Sequence, residues 1–576
     1  MKGRVTAAVL GSLAVALGAG SSVRPTDASW NDHEWVASGP VQTVDCTDPE
    51  TTLAGTAAGR VLGGSLLGLD LDTVAELDGV RATTDGEDAW ATPAAASPVA
   101  GVPDAWRDPL DLMVLSALGL SARGLTLPLD TPVGVVGQFA QAHPQGDFFG
   151  AAGAVTDSGL LELEPDGGTY PTLASLDLKN LVDSVVPSLG TLLSQVTDLS
   201  LQVGAVGSRA AVLDACDQVF AGAWTPQREY LVADLDLELA SPLVSDLVTD
   251  VEGLLTALET AVAGIAGDQS LVSGLVSGVS DLLGSLLGVA SLGTAELELS
   301  ASVNLEAVRT LLVEPVSDSG GVLVVRPGDG TISVDLAALL AEAYPGEYSD
   351  GLNGLDPNTS LLGDERVLAT LVLALTDALD QWTSSVQLAV DQALDLVEVH
   401  LVGEVAIMAP VLLAVTKVAS LELEVSGTLG ELLANEAQVD SHVELLGLIS
   451  LPTGPITNRL LEGLGSVVGG VVQGALLPSL SPVVTLVGGT VAALTTLVSQ
   501  VYTALFLDGV VEVTLNAQND PALGDPEPEE WAGIPQGRYD VAALRVGVLD
   551  ALGALGVYVH LARSSVGPLC WADGGC

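Results

Sequence analysis

The chain has 576 residues, 48% of them hydrophobic, which is length for about two to four domains and enough apolar surface to bury substantial cores. Lys and Arg number 18 against 73 Asp and Glu, a formal net charge of −55 that repels phosphate backbones and anionic lipid headgroups and so excludes nucleic-acid binding. Aromatic residues make up only 3%, so Leu, Val, Ala and Gly must form the cores.

Residues 1–28 read as a secretory signal, with Lys2 and Arg4 at the positive end, an apolar run from Val5 to Ala19, and Ala28 before a cleavage point. Ser29 to Asp48 then carries Trp30 and Trp35, an arm expected to dock on the body. The four cysteines lack zinc-site spacing, and an even count in an exported chain favours disulfides. Cys570 with Cys576 would close a small terminal loop and leave Cys46 with Cys216, one of the three connectivities possible for four cysteines.

The mature chain divides into a β-rich region at 29–229, a region of alternating strands and helices at 230–515, and an acidic loop with a C-terminal hairpin at 516–576. Within the first, Thr92 to Pro103 reads as an exposed loop, and Leu110 to Leu129 as strands with a turn at Gly124. Three segments repeat one device, a period-two strand that turns into a helix at a capping residue. The caps are Asp177, Asn304 and Asp335. Tyr230 to Leu239 reads as one strand and Leu243 to Val262 as a helix, followed by a Gly/Ser/Leu helix at Ser270 to Leu287. A long helix over Asp364 to Val397 precedes strands at Glu398 to Met408 and Ser420 to Ser426. Gly463 to Leu507 has no charged residue, and Pro478 and Pro482 interrupt it. It reads as a pair of buried helices rather than a transmembrane hairpin, because Gly, Ser, Thr and Gln dilute its apolar content. Val510 to Leu515 is a further strand, Asp520 to Glu530 an acidic Pro-rich loop, and Tyr539 to Val548 pairs with Gly556 to Leu561 as a hairpin added to an existing sheet.

Several stretches in order, SWNDHEWV, GRVLGGSLLGLDLD, GVVGQFAQAHPQGDFFGAAGAVTDSG, YDVAALRVGVLDALG and LARSSVGP, resemble the choice-of-anchor G family. The resemblance spans nearly the whole mature chain and implies an exported actinobacterial surface protein of unassigned activity, one of a set that shares a body and varies the C-terminal anchor. The end of this sequence, PLCWADGGC after Gly567, lacks a sortase motif, and the LPTG at Leu451 to Gly454 is one residue short of one. Covalent sortase anchoring is therefore not expected.

No constellation amounts to an active site, and the chain is expected not to be an enzyme. His33, His143, His400, His442 and His560 have no His or Cys partner at ligand spacing and read as structural. No serine sits in a G-x-S-x-G elbow and no lysine follows a P-loop. Glu296 with Glu298, and Asp234, Asp236 and Glu238, share strand faces. A glycosidase pair would need an aromatic-lined cleft, so these read as the solvent side of a sheet. No cofactor is expected except calcium, for which Asp350, Asn353, Asp356 and Asn358 offer hard oxygen ligands in one loop, although a plain Asx turn accounts for them as well.

The resulting expectation is an α+β fold of mainly antiparallel sheet, β-sandwich-like, with inserted amphipathic helices and helical hairpins. The expected role is that of a secreted or cell-surface structural or adhesive protein whose partner is a cell-envelope component or another surface protein. A secreted hydrolase of a surface polymer and a membrane-associated protein inserting 463–507 are the alternatives, and the oligomeric state stays open.

Overall fold

The computed structural model describes residues 45–46, 48, 50–111, 118–127, 136–156, 158–161, 173–220, 224–265, 292–411, 414–434, 436–445, 477–519, 528–548 and 557–572, with Ser273, Val276 and Ser277. The signal segment, Trp30, Trp35, His33, the helix expected at Ser270 to Leu287 beyond those three residues, and the acidic loop up to residue 527 lie outside these residues. The fold is α+β, with four antiparallel sheets of eight, seven, six and four strands.

The eight-stranded sheet joins the two ends of the chain. Leu53–Leu66 lies beside Val557–Trp571, which is flanked in turn by Tyr539–Val548 and Val511–Gln518. The C-terminal hairpin thus adds to an existing sheet, as its length requires. This sheet packs face to face on the six-stranded one, in which Gly137–Ala142, Phe148–Gly153 and Val206–Val212 are central. The two faces meet through backbone rather than bulky side chains. A Cβ built on Gly59 would stand 2.0 Å from the Ala151 carbonyl oxygen, and one on Gly150 2.0 Å from that of Ala58. Ser208 and Ser564 hydrogen-bond across the same interface at 2.7 Å. The Gly- and Ala-rich composition therefore lets two sheets approach closely where aromatics would hold them apart.

Tyr230 to Leu239, read above as one strand, is two. Gln227–Val232 belongs to the six-stranded sheet and Leu235–Ala240 to the seven-stranded one. A second chain segment makes the same crossing, from Asp198–Val203 to Val206–Val212. The two crossings bond to each other, Gly204 N to Asp234 O at 2.9 Å and Ala233 N to Ala205 O at 2.9 Å. Gly204 is needed there because a Cβ would lie 2.6 Å from that of Asp234. The boundary drawn at 229/230 runs through Gln227–Val232, and the eight-stranded sheet takes strands from either side of 515/516.

The strand-into-helix device recurs at all three places. Asp177 caps Leu178–Val185 by accepting from Asn180 N at 2.8 Å, and Asp335 caps Leu336–Ala343 by accepting from Ala338 N at 2.9 Å. Asn304 accepts from Glu306 N at 3.0 Å, but the helix begins one residue later than expected, with Leu305 as its N-cap. Replacing Asp335 by Ala is expected to cost about 1 kcal/mol in a urea melt, and Asn304→Ala less, since only the first is a full cap.

Helix Leu477–Tyr502 packs on both Pro242–Ile265 and Glu365–Asp395. It is buried through Leu494, Leu497, Val498, Val501 and Tyr502. Pro478 and Pro482 do not split the uncharged run in the described residues, because both lie near the start of this single helix. Pro478 falls in the first turn, where a missing N–H has no intrahelical partner to lose; residues 463–476 are outside the described set. Gly489–Leu507 is, among the described residues, the one helical stretch long and apolar enough to cross a membrane.

The acidic alternations take the outer sides of two sheets. Glu238 accepts from Gln202 Nε2 at 3.3 Å, and Asp236 stands directly opposite Asp335 in the ladder. Burial first, then Asp234, Asp335 and Glu238, push the Asp236 carboxyl up to about 6. A raised carboxyl disfavours the folded state when ionised, so Asp236→Asn is expected to stabilise by about 1 kcal/mol at pH 7 after solvent screening is allowed for. That gain should fade as the pH falls through 6 and be gone below 3.8, where the wild-type group is protonated in both states. On the four-stranded sheet, Glu296, Glu404 and Glu422 form one cross-strand row, with Lys417 paired to Glu404.

Candidate binding cleft

A cleft that meets a charged side chain lies at one end of the eight-stranded sheet. Its volume is ≈ 250 Å³, and it is bounded by Ser360, Gly363, Phe506, Gly509, Glu512 and Gly547 among others. Local sequence explains each wall. After Tyr502 the chain widens into a π-helical turn, Thr503–Leu507, closed by Asp508 N donating to Thr503 O at 2.9 Å. Such turns are rare and concentrate at functional positions. Gly509, at φ +70, then reverses the chain into Val511–Gln518. Glu512 and Gly547 face each other in the ladder, so the missing side chain of the glycine opens space beside the carboxylate. Thr359–Ser360 pairs along the free edge of the same strand and brings Gly363 to the rim.

Glu512 is the outer member of a chain of charges that runs into the protein. Its Oε2 accepts from Arg545 Nη1 at 3.0 Å while its side chain stays 43% exposed. Arg545 is buried and clamps Glu530 in a bidentate pair, Nε to Oε1 at 2.8 Å and Nη2 to Oε2 at 3.1 Å. Glu530 Oε1 also accepts from Nε2 of the fully buried His560 at 2.9 Å. Burial raises the Glu530 carboxyl, but the bonds from His560 and Arg545 outweigh it and hold the group well below the usual carboxylate range. Burial also lowers His560, more than Glu530 raises it, so its imidazole is neutral at pH 7. Trp531 covers the chain, 4.9 Å from the His560 ring and 4.7 Å beneath the guanidinium of Arg563. Arg563 and Arg538 in turn both bond Oδ1 of the buried Asp540.

One irregularity makes this possible. Strict alternation would place His560 and Arg563 on opposite sides of their strand. Ala562 has φ 49 and Asn516 φ 51, and the pairing skips the row that contains them. Leu561 and Ala562, like Ala543 and Leu544 and like Val61 and Leu62, consequently enter the core side by side. His560, Arg563 and Arg545 are thereby turned together to the other face. Alternation arguments from sequence miss this set entirely; the only visible signal is arginine in strands of a chain so poor in base.

The loop singled out for calcium is tied to two sheets through its asparagines. Asn353 mimics a strand, accepting from Val232 N at 2.8 Å and donating to Val232 O at 3.0 Å, while Asn358 Oδ1 accepts from Gln518 N at 2.7 Å. Both amide oxygens are thus engaged by strands of two different sheets, and Asp350 and Asp356 point out to solvent. Among the described residues no group of three or more His, Cys, Asp or Glu is arranged to hold a metal. His143 pairs with Asp104 at 2.7 Å and His400 with Glu424 at 3.1 Å. For His442 the strand register alone is defined, opposite Glu422. Cys46 and Cys216 form a disulfide, and Cys570 is disulfide-bonded as well, while Cys576 lies outside the described residues.

A family model described as a domain of unknown function, DUF8394, matches residues 57–567. The chain belongs to that family. No curated protein and no solved structure matches it. The family match covers both sheets of the sandwich, the cleft and the charge chain behind it. Chemically the cleft can hold a ligand against one carboxylate and an apolar wall. Among the described lining residues, Ser360 is the sole hydroxyl and no histidine is present.

Proposed function

We propose that this is a secreted or cell-surface structural or adhesive protein that engages a cell-envelope component or another surface protein. The observation that carries the reading is the state of its cysteines: Cys46 and Cys216 are bridged over a separation of 170 residues, and among the described residues there is no free thiol. Disulfides persist in oxidising compartments and are rare where thiols are kept reduced. The uses of the titratable groups support a structural role. His560, Glu530 and Arg545 are spent on holding strands together, and the strong negative charge suits solubility outside the cell.

The test is fractionation of producing cells into medium, high-salt wash, detergent extract and wall digest, with thiols alkylated before and after reduction. The expected result is recovery in the medium or salt wash, with thiols that react only after reduction. Recovery in the cytoplasm with reactive thiols would overturn the proposal. Extraction by detergent alone would transfer the assignment to membrane insertion of the uncharged helix.

A further inference from the structure

We propose that one edge of the four-stranded sheet, strand Leu292–Ser302, is a docking site for an extended segment of a partner protein in which Lys or Arg alternates with apolar residues. The inference deepens the surface role by giving the chemistry of the partner, and rests on that role only for where the partner is met.

The treatment of sheet edges is the first argument. An edge strand presents a row of unpaired amides and carbonyls, and folded proteins blunt such edges with short strands, proline or a covering group. Among the described residues, three of the four sheets are blunted in those ways. The eight-stranded sheet ends in Thr359–Ser360 and in Ala89–Thr92, which stops at Pro93. The seven-stranded sheet ends in Val316–Ser317 and Leu125–Thr126. The six-stranded sheet ends in Ser97–Pro98 and in Gln227–Val232, where the Asn353 amide closes the last rung at Val232. The four-stranded sheet is bounded instead by Leu292–Ser302 and Gln438–Leu445, strands of 11 and 8 residues. Leu292–Ser302 pairs with Glu398–Val411 on one side, and among the described residues no backbone hydrogen bond reaches its other side.

The two faces of the strand define the occupant. On the inner face Leu299 is buried in the core shared with helix Pro242–Ile265, whereas Leu297 and Ala301 are only partly covered. Alternate apolar residues of an added strand would continue that face and complete its cover. On the outer face Glu296, Glu298, Ser300 and Ser302 are exposed. Glu296 stands opposite Glu404, which Lys417 already holds, and Glu298 stands opposite Val402. Neither Glu296 nor Glu298 has an ion-pair partner among the described residues. Lys or Arg at the facing positions of an added strand supplies the opposite charge that cross-strand pairs favour. The same glutamates reject a second copy, because pairing this strand with its own kind, inner faces aligned, sets one row of carboxylates beside another. The edge is thus guarded against itself and matched to a basic strand, with main-chain bonds giving affinity and side chains giving choice.

The full-length protein is titrated by calorimetry at physiological salt with an alternating Val-Lys octapeptide with blocked ends. The same peptide N-methylated at every residue keeps the charge and has no N–H to give, and an alternating Val-Glu octapeptide reverses the charge. Saturable one-site binding of the first peptide alone is expected, with amide exchange slowed in Leu292–Ser302 and unchanged in Gln438–Leu445. Glu296→Lys with Glu298→Lys should weaken binding by roughly tenfold or more. Glu76→Lys with Glu87→Lys alters the net charge equally at exposed turns of the eight-stranded sheet and should leave affinity unchanged. The N-methylated peptide and the exchange map decide the question on the wild-type protein, should a variant prove unstable. Equal binding of the N-methylated peptide, or equal loss in the two double variants, would leave only diffuse attraction to a polyanion and overturn the site. Protection elsewhere than Leu292–Ser302, or no binding, would overturn it as well. Binding at this edge by a protein recovered from the cytoplasm would keep the site and remove the surface role.

Discussion

Replacing Gly150 by valine is expected to unfold much of the sandwich, at a cost of about 3 kcal/mol or more, and Gly59→Val should do the same. In each case the new Cβ meets a carbonyl oxygen at 2.0 Å. The obstacle is backbone held in a ladder on both sides, Ala58 paired with Ser565 and Arg81, and Ala151 with Arg209 and Phe139. No side chain can swing away to admit the substituent, so the two sheets must separate and lose contact along the whole interface. Gly253→Ala is the matched control. It lies in helix Pro242–Ile265 with open space around it, and should stabilise by about 0.5–1 kcal/mol because glycine is a poor residue mid-helix. Urea melts of the three variants decide the matter. A Gly150→Val protein within about 1 kcal/mol of wild type would refute the close approach of the sheets.

The second large effect concerns the buried charge chain. Arg545→Met should cost about 3–5 kcal/mol, because it strands Glu530, 9% exposed, without its bidentate partner. Removing both charges, as Arg545→Met with Glu530→Leu, should cost less than the single change, since no uncompensated ion remains in the interior. A double-mutant cycle measures that difference directly. The pH dependence has a definite sign. The depressed Glu530 carboxyl contributes stability that is complete above the unfolded value near ~4.3 and is lost as the pH falls below it. His560 is lowered by burial, so below about 6.5 the unfolded chain takes up a proton that the folded chain refuses, and stability declines from there. Arg545, Arg563 and Glu530 all face that ring, the two arginines keeping it neutral and Glu530 opposing them. His560→Gln should flatten the decline between about pH 6.5 and 5 and leave the lower, carboxylate part in place.

How far the sequence could be read depended on the range of the interaction. Asp177 and Asp335 were legible as caps because each bonds an amide three residues on. The long helix beginning after Asp364 and the closing hairpin were legible for the same reason, since periodicity and capping are local. Tyr230 to Leu239 was misjudged because alternation looks the same whether a segment stays in one sheet or crosses into the next. The loop at Asp350 to Asn358 has the composition of an ion site, yet its amides are taken by Val232 and Gln518, partners more than a hundred residues away.

By itself, then, the sequence determined the α+β class, the placement of most strands and helices, the capping residues, and cores of small aliphatic residues in a strongly acidic chain. Those are consequences of periodicity and of bonds between near neighbours. Only the tertiary structure decided which glycines let two sheets touch, where the chain passes between sheets, and that a reversal at Ala562 gathers His560, Arg545 and Arg563 on one face. It also decided that Ser360, Phe506, Glu512 and Gly547 share a cleft. The physical reason is that alternation records two sides of a strand without recording what lies across from either, and contacts between distant segments are fixed by packing the whole chain at once.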